Sequence, residues 1–293
     1  MVIGLLDFGS VASRFKQDSS KMITPEVEPR GIFVLMRIIL CYIVSMQPEI
    51  IFEDKDIVII NKPSGLITHP RNPNDSEPSV VSWFVEHYPE SAKTVDDFVG
   101  DDEDIDYQNY AKLRPGIVHR LDKETSGILV LAKNKVSLQY LKTQFQEHSI
   151  EKTYIALVHG VLDRSRGTIN APILSLGSKM TTHMTEDQQK TAKHAATDYE
   201  VKKTYGDIFS LVEVKPQTGR THQIRVHMKS IGHPIVGDPL YSEKRYPNPE
   251  NLRRLFLHAR SIAISLPSGS RIHAEADLPQ ELGLFLETFN PIA

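Results

Sequence analysis

A chain of 293 residues, 40% hydrophobic and 24% charged, carries enough apolar surface to bury a sizeable core, which excludes a largely disordered protein. Its formal net charge of -3 gives no bulk support for a nucleic-acid partner. The single cysteine, Cys41, excludes an internal disulfide and a cysteine-rich zinc site, and fits a reducing compartment such as the cytoplasm.

The first 46 residues show no pattern that places helices or strands. Their apolar run, residues 32–46, contains Arg37 and is shorter than the ~20 residues a bilayer span needs. Asp7, Asp18, Glu26 and Glu28 precede it and no cleavage site follows, so it does not read as a secretory signal. We expect residues 1–46 to be an atypical extension, disordered or untranslated because Met46 can itself serve as a start. Residues 47–293 are expected to form one folded domain.

From Pro48 onward the pattern becomes regular. The β-rich runs 50–52 and 57–60 flank Glu53-Asp54-Lys55-Asp56 and predict a hairpin. Pro63-Ser64-Gly65 predicts a turn before a short apolar stretch at 66–68. Val80, Val81, Phe84 and Val85, after Pro78, have the spacing of a short amphipathic helix. Residues 96–106 hold seven acidic residues in eleven positions, which predicts a solvated, self-repelling loop away from any phosphate path. A strand is expected over 127–133 and a helix over 136–150, through Leu138, Leu141 and Phe145. Residues 152–158 read as a strand, and 195–201 and 208–214 as paired strands around Tyr205-Gly206-Asp207. A helix is expected over 221–231, with Ile224, His227 or Met228, and Ile231 along one stripe. A strand over 256–264 and a closing helix over 278–289 complete the chain. Regular strand–helix–strand alternation is scarce, which argues for α+β with mostly antiparallel pairing.

Two segments concentrate polar chemistry. Residues 115–127 place His119, Arg120, Asp122, Lys123, Glu124 and Thr125 between apolar Ile117-Val118 and residues 128–131. Burying these charges unpaired would cost several kcal/mol each, so they belong at a surface or in a cleft. A turn whose Asp and Thr or Ser bond their own backbone would satisfy the same composition. In the second segment, residues 215–228, a turn at 216–219 leads into a helix bearing Arg220, His222, Arg225 and His227. A helix N-terminus with arginines favours an anion, and a solvated helix face is the alternative. The histidines lack the cysteine or carboxylate partners of a metal site. Residues 190–229 hold eight Lys/Arg against four Asp/Glu, a local excess of +4 that is a modest footprint for a polyanion.

The string His119-Arg120-Leu121-Asp122 with Thr125-Ser126-Gly127 resembles a signature of the RluA-type RNA pseudouridine synthases. So do Gly-Arg-Thr-His-Gln-Ile-Arg-Val-His at 219–227 and Gly-His-Pro-Ile-Val-Gly-Asp at 232–238. Lys152-Thr153-Tyr154 and the opening 59–65 extend the resemblance to roughly residues 50–290. It implies a pseudouridine synthase fold: a central, mostly antiparallel mixed sheet with flanking helices and an RNA-binding cleft. It also implies that residues 47–293 are the catalytic domain and isomerise uridine in structured RNA to pseudouridine, through an aspartate nucleophile and base flipping. In that reading Asp122 is the nucleophile, Tyr154 lies against the uracil and Arg220 pairs with Asp122. Arg120 is similar to the residue that fills the gap left by the flipped base, and His119, Thr125, His222 and Arg225 are expected RNA contacts. Ribosomal RNA is the more usual substrate of such enzymes, with tRNA the other. No cofactor, metal or membrane is implied, and a monomer is expected. Residues 1–46 do not resemble the S4 RNA-binding domain that many relatives carry, which leaves recognition to the catalytic domain.

The chemistry is consistent with these residues. A stacked base hides its reacting face and must be extruded, and an inserted cation offsets part of that cost. A carboxylate beside C1′ can act as nucleophile or stabilise positive charge there, and an arginine can grip it through two hydrogen bonds. An aromatic ring offers a stacking face. Two other readings compete with it. A catalytically inactive RNA-binding or assembly factor with the same fold would be expected to lack one of Asp122, Tyr154 and Arg220. A carboxylate glycoside hydrolase needs a second acid ~5–10 Å away, and Glu124 has no independent support for that part.

Overall fold

The computed structural model describes residues 47–93 except Arg71 and Pro73, and residues 114–289 except Ser178 and Glu243. The expectations for residues 1–46 and 96–106 lie outside the described residues.

The first hairpin forms where its sequence predicts it. Strand β1 (Glu49–Glu53) pairs antiparallel with β2 (Ile57–Lys62), and the Asp54 carboxylate closes the turn by accepting from the amides of Asp56 and Ile57, both at 2.8 Å. Helix α1 (Val80–His87) follows, its start fixed by a reciprocal cap between Ser79 and Ser82. A 3-10 turn (Pro89–Lys93) precedes the gap in the described residues. Strand β3 (Ser126–Ala132), helix α2 (Lys135–Gln146) and β4 (Glu151–His159) come next. Then come β5 (Arg166–Asn170), the small hairpin β6 (Leu174–Leu176) and β7 (Lys179–Thr181), and helix α3 (Glu186–Gln189). The long pair β8 (Ala196–Tyr205) and β9 (Phe209–Pro216) leads to helix α4 (Gln223–Ser230). Strands β10 (Leu257–Ser265) and β11 (Arg271–Glu275) and helix α5 (Gln280–Glu287) end the domain.

One sheet runs β1-β2-β3-β10-β4-β9-β8-β5, with β11 paired to β10. Every pairing is antiparallel except β3 with β10, which meet through His258–Ser126 and Ala259–Gly127. The architecture is therefore the mostly antiparallel α+β sheet that the sequence predicts.

Strands β2 and β3 are continuous apolar runs because both faces of the sheet are covered there. Ile57, Ile59, Ile128 and Val130 pack with Leu138 and Leu141 of α2 on one face. Val58, Ile60, Leu129 and Leu131 pack on the other with Val80, Trp83 and Phe84 of α1 and with Leu121. In the other half of the sheet, Ala156, Val158, Val212 and Val214 pack against Ile224 and Met228 of α4 and Leu282 and Phe285 of α5. The helix expected over 136–150 stops at Gln146, and the one expected over 221–231 starts only at Gln223, leaving residues 216–222 as a turn. Strands β5, β6, β7 and β11 and helix α3 are short and mostly polar, with too little apolar periodicity to be legible. No helix among the described residues is long and apolar enough to cross a membrane.

The parallel contact of β3 and β10 at the sheet centre requires Gly127. Its φ is +113°, and a Cβ there would stand 2.2 Å from the carbonyl oxygen of Ala259. Gly127→Ala is expected to destabilise the domain by about 2–5 kcal/mol, through backbone strain plus overpacking. The midpoint of urea unfolding measures this; an unshifted midpoint would contradict the close approach.

Candidate active site

The segment carrying Asp122 enters from an isolated bridge between Ile117 and Leu131 and leaves into β3. Its one apolar residue, Leu121, is buried in the core beside α1 and anchors the loop. The turn at 62–68 then acts as a socket for the backbone. The Thr68 hydroxyl donates to the Leu121 carbonyl at 2.7 Å and accepts from the Leu121 amide at 3.2 Å. The Gly65 amide donates to the Lys123 carbonyl at 2.7 Å, and Ser64 Oγ to the Glu124 carbonyl at 2.7 Å. The Thr125 amide closes the turn on the Asp122 carbonyl at 3.1 Å.

At the base of the socket lies Lys62, wholly buried, whose Nζ donates to the carbonyls of Leu66 (2.8 Å), Pro63 (2.9 Å) and Lys123 (3.2 Å). Burial pulls its pKa down to about 7, with Asp122 and Glu124 pushing the other way. Three carbonyl acceptors match the three donors of an ammonium, so the socket is built for the charged form.

The carboxylate of Asp122 meets one arginine. Arg225, in the first turn of α4 and 1% exposed, donates through Nε and Nη2 to the two oxygens of Asp238, both at 2.8 Å. Its remaining nitrogen, Nη1, donates to Asp122 Oδ2 at 3.1 Å and lies 3.9 Å from Glu124 Oε2. Asp238, fully buried, also accepts from the amides of Leu240 (2.9 Å) and Tyr241 (3.0 Å). Burial works against the Arg225 charge, but Asp238 and then Asp122 outweigh it, and its pKa rises. The Asp122 side chain remains 16% exposed, and no described residue donates to its Oδ1. The same Oδ2 stands 3.9 Å from His222 Nε2.

Tyr154 comes from β4, opposite Ala259 on one side and Val214 on the other, half-buried where two core clusters meet. Burial, and then the nearby charge of Asp122, push its pKa up, so the phenol is neutral at physiological pH.

Several residues stand elsewhere than the resemblance implies. Arg220 does not pair with Asp122. It sits in the exposed turn before α4, where its amide donates to Gln223 Oε1 at 2.9 Å and its Nε to the His194 carbonyl at 3.1 Å. Arg225, inside the helix and facing the sheet, makes that pair instead, and so saturated and buried a side chain cannot also reach a phosphate. His119 is half-buried and engaged within the domain: its Nε2 accepts from the Val130 amide at 3.0 Å and its ring stacks on Phe145. Burial, and then Lys152, bring its pKa down to about 3, in keeping with a neutral ring that accepts. Thr125 is buried beneath the loop and offers RNA almost no surface. Arg120 is exposed at the top of the loop, and His222 faces the opening beside Asp122. Beyond Arg220 a surface hollow of about 460 Å3 is lined by Lys152, His194, Lys215 and Gln217 among others.

Sequence reasoning assigned no part to Lys62, Thr68, Asp238 or Tyr241. A lysine ending the apolar run 57–60 was a usable signal for Lys62; the others carry none without the fold.

Residues 56–230 match the family model described as RNA pseudouridylate synthase. The chain belongs to this family. An uncharacterized RNA pseudouridine synthase of Bacillus subtilis, YlyB, is 33% identical over 95% of this chain and 82% of its own length. The ribosomal large subunit pseudouridine synthase D of Borreliella burgdorferi is 35% identical over 82% of this chain and 68% of its own. Among solved structures, human RNA Pseudouridylate Synthase Domain Containing 4 superposes with a TM-score of 0.62 at 26% identity, covering 88% of this chain and 97% of that one. The synthase is of the RluA type and isomerises uridine in RNA to pseudouridine.

The two arginines of this synthase separate by experiment. Arg225→Ala should cost about 3–5 kcal/mol of stability, because it strands buried Asp238. It should leave the salt slope of RNA binding unchanged. Arg220→Ala should leave stability unchanged and lower that slope by about one. Urea unfolding and filter binding across a salt series check both; a reversed pattern would return the phosphate contact to Arg225.

Proposed function

We propose that Asp122 is the nucleophile and that the enzyme acts on a uridine of large-subunit ribosomal RNA. The observation that carries the first part is the Asp122 carboxylate, 16% exposed, with Arg225 on Oδ2 and no described residue donating to Oδ1. An arginine that stays charged keeps the carboxylate anionic in a closed site and fixes which oxygen faces the substrate.

With the uridine extruded, Oδ1 attacks C1′ and the N1–C1′ bond breaks. The freed uracil turns against the Tyr154 ring until C5 reaches C1′. Asp122 then leaves as C5 bonds to C1′, C5 loses its proton and N1 gains one, so atoms and charge balance without oxidant or reductant. Arg120, exposed above the site, fills the space that the base vacates. Arg220, with Lys152 and Lys215 of the neighbouring hollow, takes flanking phosphates. Residues 47–293 suffice as the catalytic domain, working as a monomer in the cytoplasm. Relatives named for the large ribosomal subunit support that RNA over tRNA. An inactive assembly factor would have no use for an open carboxylate held by a buried arginine.

Asp122→Asn keeps shape and removes charge. Tritium release from C5-labelled uridine in ribosomal RNA should fall by roughly 10³-fold or more, with the RNA Kd within about threefold of wild type. Release near the wild-type rate would refute the assignment. Pseudouridine mapping of total RNA with and without the gene tests the choice of RNA: loss of a tRNA site alone would overturn it.

A further inference from the structure

We propose that His222 is a positioning residue for Asp122: its Nε2–H, set in place by Tyr241, joins Arg225 on Oδ2 as the substrate closes the site, so that Oδ1 is the oxygen presented to C1′. The inference rests on the reading of Asp122 as nucleophile.

Three observations converge on this residue. The first is its backbone. His222 stands at the N-cap of α4 with φ +54° and ψ 19°, a left-handed conformation that costs a non-glycine residue of order 1 kcal/mol. A cap residue ordinarily recovers such a cost by accepting from the first turn of its helix, and His222 makes no such bond. Its side chain points at the site instead.

The second is its tautomer. His222 Nδ1 lies 2.8 Å from the Tyr241 hydroxyl, which is buried and accepts from the Met180 amide at 2.9 Å. The only acceptor that the described residues offer to the Tyr241 hydroxyl proton is Nδ1. Satisfying that buried group makes Nδ1 an acceptor and leaves the ring proton on Nε2.

The third is aim. Nε2 is 3.9 Å from Asp122 Oδ2, the oxygen that Arg225 already holds at 3.1 Å. That is too long for a hydrogen bond in the free enzyme, but catalytic bonds are often long before substrate binds and tighten in the complex. The charged and titratable groups facing the ring are Asp122 and Arg120 from the loop, Arg225 from α4, and Asp238 and Tyr241 from the segment after it. Burial, the largest influence, opposes a second proton; Asp122 favours it, and the smaller effects of Arg225, Asp238 and Arg120 follow with alternating sign. The imidazole pKa is therefore held below its ordinary value, which favours the neutral ring with its Nε2 donor in place. A second proton, taken up in acid, would occupy Nδ1 and leave the Tyr241 hydroxyl proton without its acceptor.

His222→Asn separates this role from a structural one. Asparagine accepts the left-handed backbone, and its amide falls near Nδ1, so the Tyr241 contact survives while Nε2 is lost. In single-turnover tritium release with RNA, the rate should fall about 10–100-fold. The RNA Kd should stay within about threefold, and the acid limb of the wild-type pH–rate profile should flatten. Tyr241→Phe, which frees the tautomer, should reduce the rate in the same direction. A wild-type rate and pH profile in His222→Asn would overturn the inference. So would a weakened Kd at an unchanged rate, which would make His222 a phosphate contact. Asp122→Asn run alongside keeps the two readings apart: if it is inactive while His222→Asn is unaffected, only the present inference fails, whereas an active Asp122→Asn removes the premise.

Discussion

A single buried guanidinium organises the site. Arg225 spends two of its nitrogens on Asp238 and the third on Asp122, and so ties α4 to the loop in front of β3. Taking such charges out of water is expensive, and a well-packed apolar pair of the same volume would often be as stable. What an apolar pair cannot do is deliver a fixed N–H to the open carboxylate. Asp238 makes that delivery rigid, since its own Oδ1 is also pinned by the amides of Leu240 and Tyr241. Placement of Asp122 thus depends on a helix and a turn that lie more than 100 residues after its own loop in the chain.

The loop itself could not hold that position alone. It contains one apolar anchor, Leu121, and its carbonyls at Leu121, Lys123 and Glu124 are satisfied by Thr68, Lys62, Gly65 and Ser64 from a turn about sixty residues earlier. That turn hangs from β2, which is buried on both faces, and the loop hangs from β3, its antiparallel neighbour. Gly127 then lets β3 approach β10 in the sheet's one parallel contact, which brings Ala259 and its partner Tyr154 beside the loop. The core therefore serves the chemistry by fixing two strand ends, from which both the socket and the carboxylate project.

Charge is distributed in the same spirit. The chain is slightly acidic as a whole, and the hollow itself is balanced, with Lys152 and Lys215 against Glu151 and Asp198, so the exposed Arg120 and Arg220 supply the unbalanced positive charge. Exposed arginines attract a polyanion within a Debye length whatever the sign of the total. Directly at the carboxylate the balance is closer: Arg225 and the buried Lys62 face Asp122, Glu124 and Asp238.

Much of this was determined by the sequence itself. Strand pairs β1–β2 and β8–β9, helices α1 and α5, and the apolar runs of β2 and β3 follow from local periodicity and turn residues, because neighbours in the chain decide them. The strings around Asp122 and at 219–227 carried the family in the same way, and with it the uridine chemistry. Which arginine meets Asp122 was not local information. Arg220 and Arg225 are separated by four residues and look alike in the string. Only the point at which α4 begins turns one to solvent and the other inward to Asp238. For the same reason His119 reads as a cleft residue yet packs on Phe145, and Lys62 reads as the end of a strand yet supports the loop 61 residues away. Hydrogen bonds between distant segments depend on the direction each side chain takes from a finished backbone, and that direction exists only once the sheet has closed.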